Sequence, residues 1–154
     1  MYNHWDSYPS GLGKDLIEQL IRLLEKYTID ELVELIDNLK IVNDDITPTE
    51  EEIEKLKKYS DIGTMMNGKL FVKLGTGKLT DWYCLLRKCQ GSIETVIESG
   101  YAHAVSHPNM ADAIEYSENS WTEFYYTLDF VNDEFSCNDE VVCSMSNPHT
   151  NWIN

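Results

Sequence analysis

His4 and Asp6 stand two residues apart in the opening stretch YNHWDSYPSGLGKDL, Tyr2 to Leu16, of a 154-residue chain. On an extended segment that spacing turns both side chains to one face, where an acid and a base can share a proton. A bend at Tyr8–Pro9 would bring Ser10 near them, and the amides of Gly11 to Lys14 could face a developing oxyanion. A small hydrolase using His4 and Asp6 is therefore one reading. A second is anion capture. A glycine-rich turn into a helix start presents unsatisfied amides and the positive end of the helix dipole, and Lys14 adds a cation. Its residues would be His4, Asp6, Tyr8, Ser10, Gly11, Gly13 and Lys14, and its ligand a nucleotide or another phosphorylated molecule. GLGKD matches neither a Walker loop nor G-x-G-x-x-G, so the same residues also read as a strand–turn–helix corner that anchors the fold.

Other chemistry-bearing residues are sparser. His103 and His107 have metal-ligand spacing on a helix, but Pro108 pushes His107 out of helical conformation and no carboxylate supports the pair. Cysteines stand at 84, 89, 137 and 143 without a C-x-x-C pair, which points to reduced, buried thiols. No G-x-S-x-G elbow occurs, and GTGK at 75–78 lacks the Ser or Thr of a phosphate loop. Neither a metal nor another cofactor is expected.

Charge is divided unevenly. All 12 Lys and Arg lie at or before residue 88, whereas residues 89–154 carry 11 acids and no cation, within a net charge of −15. Such a field repels nucleic acid and anionic membrane and draws basic protein surfaces. The richest aromatic segment, Trp121 to Val131, falls in this cation-free part, which argues against direct nucleic-acid binding. The candidate protein-binding residues are Glu115, Glu118, Trp121, Glu123, Tyr125, Asp129, Asp133 and Glu134. No apolar run reaches bilayer-spanning length and the first residues carry no basic start, so a cytoplasmic protein is expected.

The elements that must position these groups follow from periodicity. Tyr2 to Asp6 reads as a short strand, Tyr8 to Gly13 as a turn, and Leu12 to Tyr27 as an amphipathic helix. Thr28 and Glu31 form a capping box for a second helix, and Thr47, Pro48 and Glu50 signal a third, mostly charged and on the surface, ending near Tyr59. LFVKL reads as a short strand among glycines. Asp81 to Cys89 and Ser92 to Ser99 read as helices, the latter closed by Gly100. Ala111 to Tyr116 reads as a turn or two of helix, Trp121 to Val131 as the strongest strand, and Cys137 to Met145 as a weaker one beside it. The expectation is one globular α+β domain over 1–154: a small, mostly antiparallel sheet with several helices packed on one face.

YNHWDSYPSGLG, NDDITPTEEEIEKLKKYSD (43–61), DWYCLLRKCQG (81–91) and ESGYA (98–102) together resemble a family of small uncharacterised proteins. That family is scattered among bacteria, bacteriophages and large DNA viruses. The resemblance implies a setting in mobile elements and viruses rather than a mechanism. Where family members show a cysteine-glutamate-aromatic pattern leading into a strand that ends in aspartate, this chain has Thr122, Glu123, Phe124 and Asp129. A thiol mechanism would lack its thiol here. The expected function is a non-enzymatic, anti-defence (anti-CRISPR-like) inhibitor acting in the host cytoplasm. It would bind a basic, nucleic-acid-handling host protein through the acidic aromatic C-terminal face.

Overall fold

A computed structural model describes residues 7–43, 45–60, 62–64, 70–72, 79–103 and 124–153. The expected strand over Tyr2–Asp6 and the helix over Ala111–Tyr116 lie outside the described residues, as does Trp121 to Glu123 of the expected long strand. Among the described residues the architecture is α+β, with three short ladders in place of one continuous sheet.

The chain enters helix α1 (Lys14–Leu24) through a wide π-helical turn over Pro9–Gly13, not through the expected non-helical bend. Proline at the first position supplies the fixed φ that a helix start tolerates. Leu16, Ile17, Leu20 and Leu23 form the buried stripe of α1. Thr28 caps α2 (Ile29–Asp37) in the expected box with Glu31. The same device starts α3 (Glu50–Leu56), but with Thr49 as cap and Glu52 as its partner, two residues later than Thr47. This helix is not wholly superficial, since Leu56 and Glu52 are buried.

Between α2 and α3 lies β1 (Lys40–Val42), which pairs in parallel with β4 (Tyr101–His103). The connection between them carries α3, the antiparallel pair β2 (Ile62–Thr64) and β3 (Leu70–Val72), α4 (Trp82–Leu85) and α5 (Ile93–Ser99). Residues around this parallel pair form the first core: Val42, Leu56, Trp82, Leu85, Leu86, Val96 and Tyr101 are all buried.

The C-terminal part is a three-stranded antiparallel meander of β5 (Tyr126–Asp129), β6 (Glu134–Cys137) and β7 (Glu140–Ser144). The strand expected over Cys137–Met145 is β7, shortened to Glu140–Ser144, while Cys137 ends the unexpected β6, with Asn138 and Asp139 at positive φ turning the chain between them. Both tolerate that conformation better than most residues. Phe135, Cys143 and Met145 of the meander pack on Leu16, Ile17 and Leu20 of α1 to form the second core. The two cores are joined where α1 meets α5: Gln19 donates to the Gly91 carbonyl at 3.3 Å and Arg22 grips Glu94 at 2.9 Å.

Candidate functional site

Two regions hold the residues singled out by the sequence. At the opening corner, His4 and Asp6 lie outside the described residues. Tyr8 is half exposed, with its ring 5.5 Å from that of Phe124. The Tyr8 carbonyl accepts from the amides of Gly11 (2.9 Å) and Gly13 (3.3 Å). Two donors that a phosphate would use are thereby turned into the corner itself. Ser10 is exposed, and the Lys14 ammonium sits 3.6 Å from Glu18 on the next helical turn.

Gly13 shows why glycine stands there. Its φ of −58° is ordinary helix, so backbone freedom is not the reason. A Cβ at that position would come within 3.0 Å of Trp152 Cη2 and of Tyr126 Cε1 and Oη. Tyr126 then donates from its hydroxyl to the Ser7 carbonyl at 2.7 Å, and Trp152 stacks obliquely on Phe135, 6.0 Å between centroids. The C-terminal meander is therefore clamped over the first helical turn. Tyr126 and Trp152 are the closing residues that sequence reasoning missed, because no local pattern announces a partner more than a hundred residues away.

Burial raises the Tyr126 hydroxyl well above its usual range, with Cys137 beside it adding to the effect. Cys137 lies across the ladder from Tyr126 and shares its face of the sheet. Burial likewise pushes up the thiols of Cys89, Cys137 and Cys143, so at neutral pH they are protonated and poor nucleophiles.

The second region is the acidic meander. Glu115, Glu118, Trp121 and Glu123 lie outside the described residues. Asp129 and Glu134 are direct cross-strand partners, so two carboxyl-bearing residues face each other on the side of the sheet away from α1. Asp129 also builds the turn that follows, accepting from the amides of Val131 (3.0 Å) and Asn132 (2.9 Å). Asp133 holds the segment after β7, accepting from Ser144 Oγ (2.5 Å) and from the Ser146 amide and hydroxyl (2.7 Å each). These bonds hold both carboxyls below the ordinary aspartate range, led by the Asn132 amide for Asp129 and the Ser144 hydroxyl for Asp133. Both stay ionised and fixed in place. Tyr125 donates its hydroxyl to Asp139 at the opposite turn, while Glu134, Asp139 and Glu140 are exposed. Val131 and Val141, 88% and 52% exposed, lie among these acids.

Among the described residues no group of three or more His, Cys, Asp or Glu is placed to hold a metal ion, and no helix is long and apolar enough to cross a membrane. His103 is buried at the end of β4, and His107 lies outside the described residues. Comparison with family models, with curated proteins and with solved structures gave no match.

Proposed function

We propose that the chain is a non-enzymatic interaction protein that engages a basic protein through its acidic C-terminal meander. One observation carries the reading: Asp129 and Glu134 face each other across β5 and β6, next to Asp133. Like charges directly opposite in a ladder are destabilising, and no Lys or Arg occurs after residue 88 to offset them. An arginine or lysine from a partner would relieve that repulsion. Hydrogen bonds already hold Asp129 and Asp133 in position, so little side-chain freedom is lost on binding. The exposed Val131 and Val141 supply apolar contact beside the charge.

Membership of the family scattered among bacteria, bacteriophages and large DNA viruses that YNHWDSYPSGLG resembles would supply the setting. A host protein that handles nucleic acid is basic where it holds the polyanion, and an acidic protein competes for that surface. The partner is thus a basic, nucleic-acid-handling host protein, and the outcome is its inhibition.

The test is copurification of the tagged wild-type chain beside a Glu134→Gln, Asp139→Asn, Glu140→Gln variant, with partners identified by mass spectrometry. These positions are exposed, whereas neutralising Asp129 or Asp133 would disturb the turns they build. The expected partner is basic, its association slows as salt screens the charges, and the variant associates about tenfold more slowly. Salt-independent binding, or unchanged association of the folded variant, would remove the proposal. The phosphate reading of the corner remains the alternative, tested by calorimetry of the wild-type chain and Lys14→Glu against mono-, di- and cyclic nucleotides.

A further inference from the structure

The two apolar cores meet across α1 and α5, and a buried amide stands at the meeting point. Leu16, Ile17 and Leu20 of α1 belong to the second core, Val96 of α5 belongs to the first, and Ile93 reaches from α5 onto the second. Gln19, on α1, is only 7% exposed. Its Nε2 donates to the Gly91 carbonyl at 3.3 Å, and its Oε1 accepts from the Glu94 amide at 3.3 Å. Both ends of the side-chain amide are thus matched by the backbone of one short segment. That segment is itself firmly set. Gly91 stands at φ 69°, in the left-handed region, as the chain turns into α5, and Ser92 accepts from the Thr95 amide at 3.2 Å. First-turn amides have no partner within their own helix. Ser92 takes that of Thr95 and Gln19 takes that of Glu94, so a residue seventy-five positions earlier completes the cap of α5.

Apolar contact and this amide do different things. Burial of apolar surface is non-directional, so Ile93 and the leucines can hold the cores together at more than one relative angle. The two bonds of Gln19 run in opposite senses between fixed atoms, and both close at one angle only. Turning α5 on α1 would leave the amide buried and unmatched, which is costly. A polar group that sets register in an otherwise apolar seam is the best-attested use of buried polarity. The Arg22–Glu94 pair beside it is open to water and screened by salt, so it adds little direction.

We infer that Gln19 is an orientation lock: it selects one angle between the two cores, while the apolar contacts around it supply the adhesion. The angle matters because charge is divided between the cores. Lys40, Lys55 and Lys58 lie against Tyr101 and Tyr59 of the first, and the paired acids of the meander lie with the second. Gln19 thereby fixes the direction of the molecule's charge asymmetry, the property that steers a charged partner on approach. The lock holds whatever the meander binds.

Residual dipolar couplings of the full chain, labelled with nitrogen-15 and aligned in a stretched neutral gel, read the relative orientation of the cores. In the wild type, amides of β5, β6 and β7 and those of α3, α5 and β4 should fit one alignment tensor. Gln19→Leu should stay folded, with each group still fitting its own structure, but lose the common tensor. Gln19→Met, unbranched and equally unable to make the two bonds, should do the same. Glu94→Gln, which removes the charge of the exposed pair and keeps the backbone amide, should retain the common tensor. A wild-type tensor shared by both cores in either folded Gln19 variant overturns the lock, as do wild-type couplings that already need two tensors. Loss of the common tensor in Glu94→Gln also overturns it, by assigning the orientation to the ion pair. Failure of both Gln19 variants to fold overturns it as well, since Gln19 would then supply adhesion and not direction.

Discussion

A carboxylate held between a helix and two strands is costly unless its oxygens are matched by donors. Glu52, 9% exposed, accepts from the Lys40 ammonium, from the Thr49 amide at 3.0 Å and from the Tyr101 hydroxyl at 3.0 Å. The Lys40 hydrogen bond leads in holding its carboxyl down to about 2, with the Thr49 amide next. A folded value below the unfolded one contributes stability that is fully present above the unfolded value. That stability is lost as pH falls toward the folded value. Lys40 is half exposed and partly screened, so Glu52→Gln should cost about 1–2 kcal/mol at neutral pH, and the gap to wild type should close between about pH 5 and 2. Melting curves across that range check it, and a constant gap would refute the role given to the charge. At Gly13 the expected loss has a different origin. An added Cβ presses on two aromatic rings, so Gly13→Ala should lower stability by about 1–3 kcal/mol. Combined with Trp152→Leu it should cost less than the sum of the two single changes, because the clash is shared. The glycines of the corner were legible in the sequence as residues solving a geometric problem. The rings that create the problem were not, since residues 126 and 152 meet residue 13 only in the folded chain.

Helix boundaries were the most readable elements, because their signals are local. Thr28 with Glu31, Ser92, and Gly100 all act where the sequence places them. Gly100 ends α5 at φ 75°, and among the described residues nothing lies within 4 Å of where its Cβ would be. Gly100→Ala should therefore cost about 1 kcal/mol through backbone conformation alone, and Gly100→Asn less, as measured by chemical denaturation. Equal losses for Ala and Asn would show that something other than the left-handed backbone sets the cost. The strands were less readable. β1 is three residues long and pairs with a strand some sixty residues on, so Lys40–Val42 carries no alternation long enough to detect. β6 reads Glu-Phe-Ser-Cys between two Asn/Asp turns, and the register slips between Phe135 and Ser136, which hides its period of two.

At the scale of the whole molecule, the charge division first seen in the sequence has a structural counterpart. Basic residues serve the first core: Lys40 and Lys55 each lie 5.6 Å from the centroid of the Tyr101 ring. The meander has none. The proposed association should persist as pH falls through the ordinary aspartate range, because hydrogen bonds keep Asp129 and Asp133 ionised there. Binding measured against pH at constant salt tests this, and a single transition near the usual aspartate range would contradict it. The clamp of the meander over α1 also bears on synthesis. The apolar stripe of α1 leaves the ribosome more than a hundred residues ahead of Phe135, Cys143 and Met145, which cover it. At ordinary elongation rates the nascent helix waits on the order of ten seconds for its cover. Until then Leu16, Ile17 and Leu20 are uncovered, and a chain truncated ahead of the meander should expose that stripe and be more readily proteolysed than the full chain.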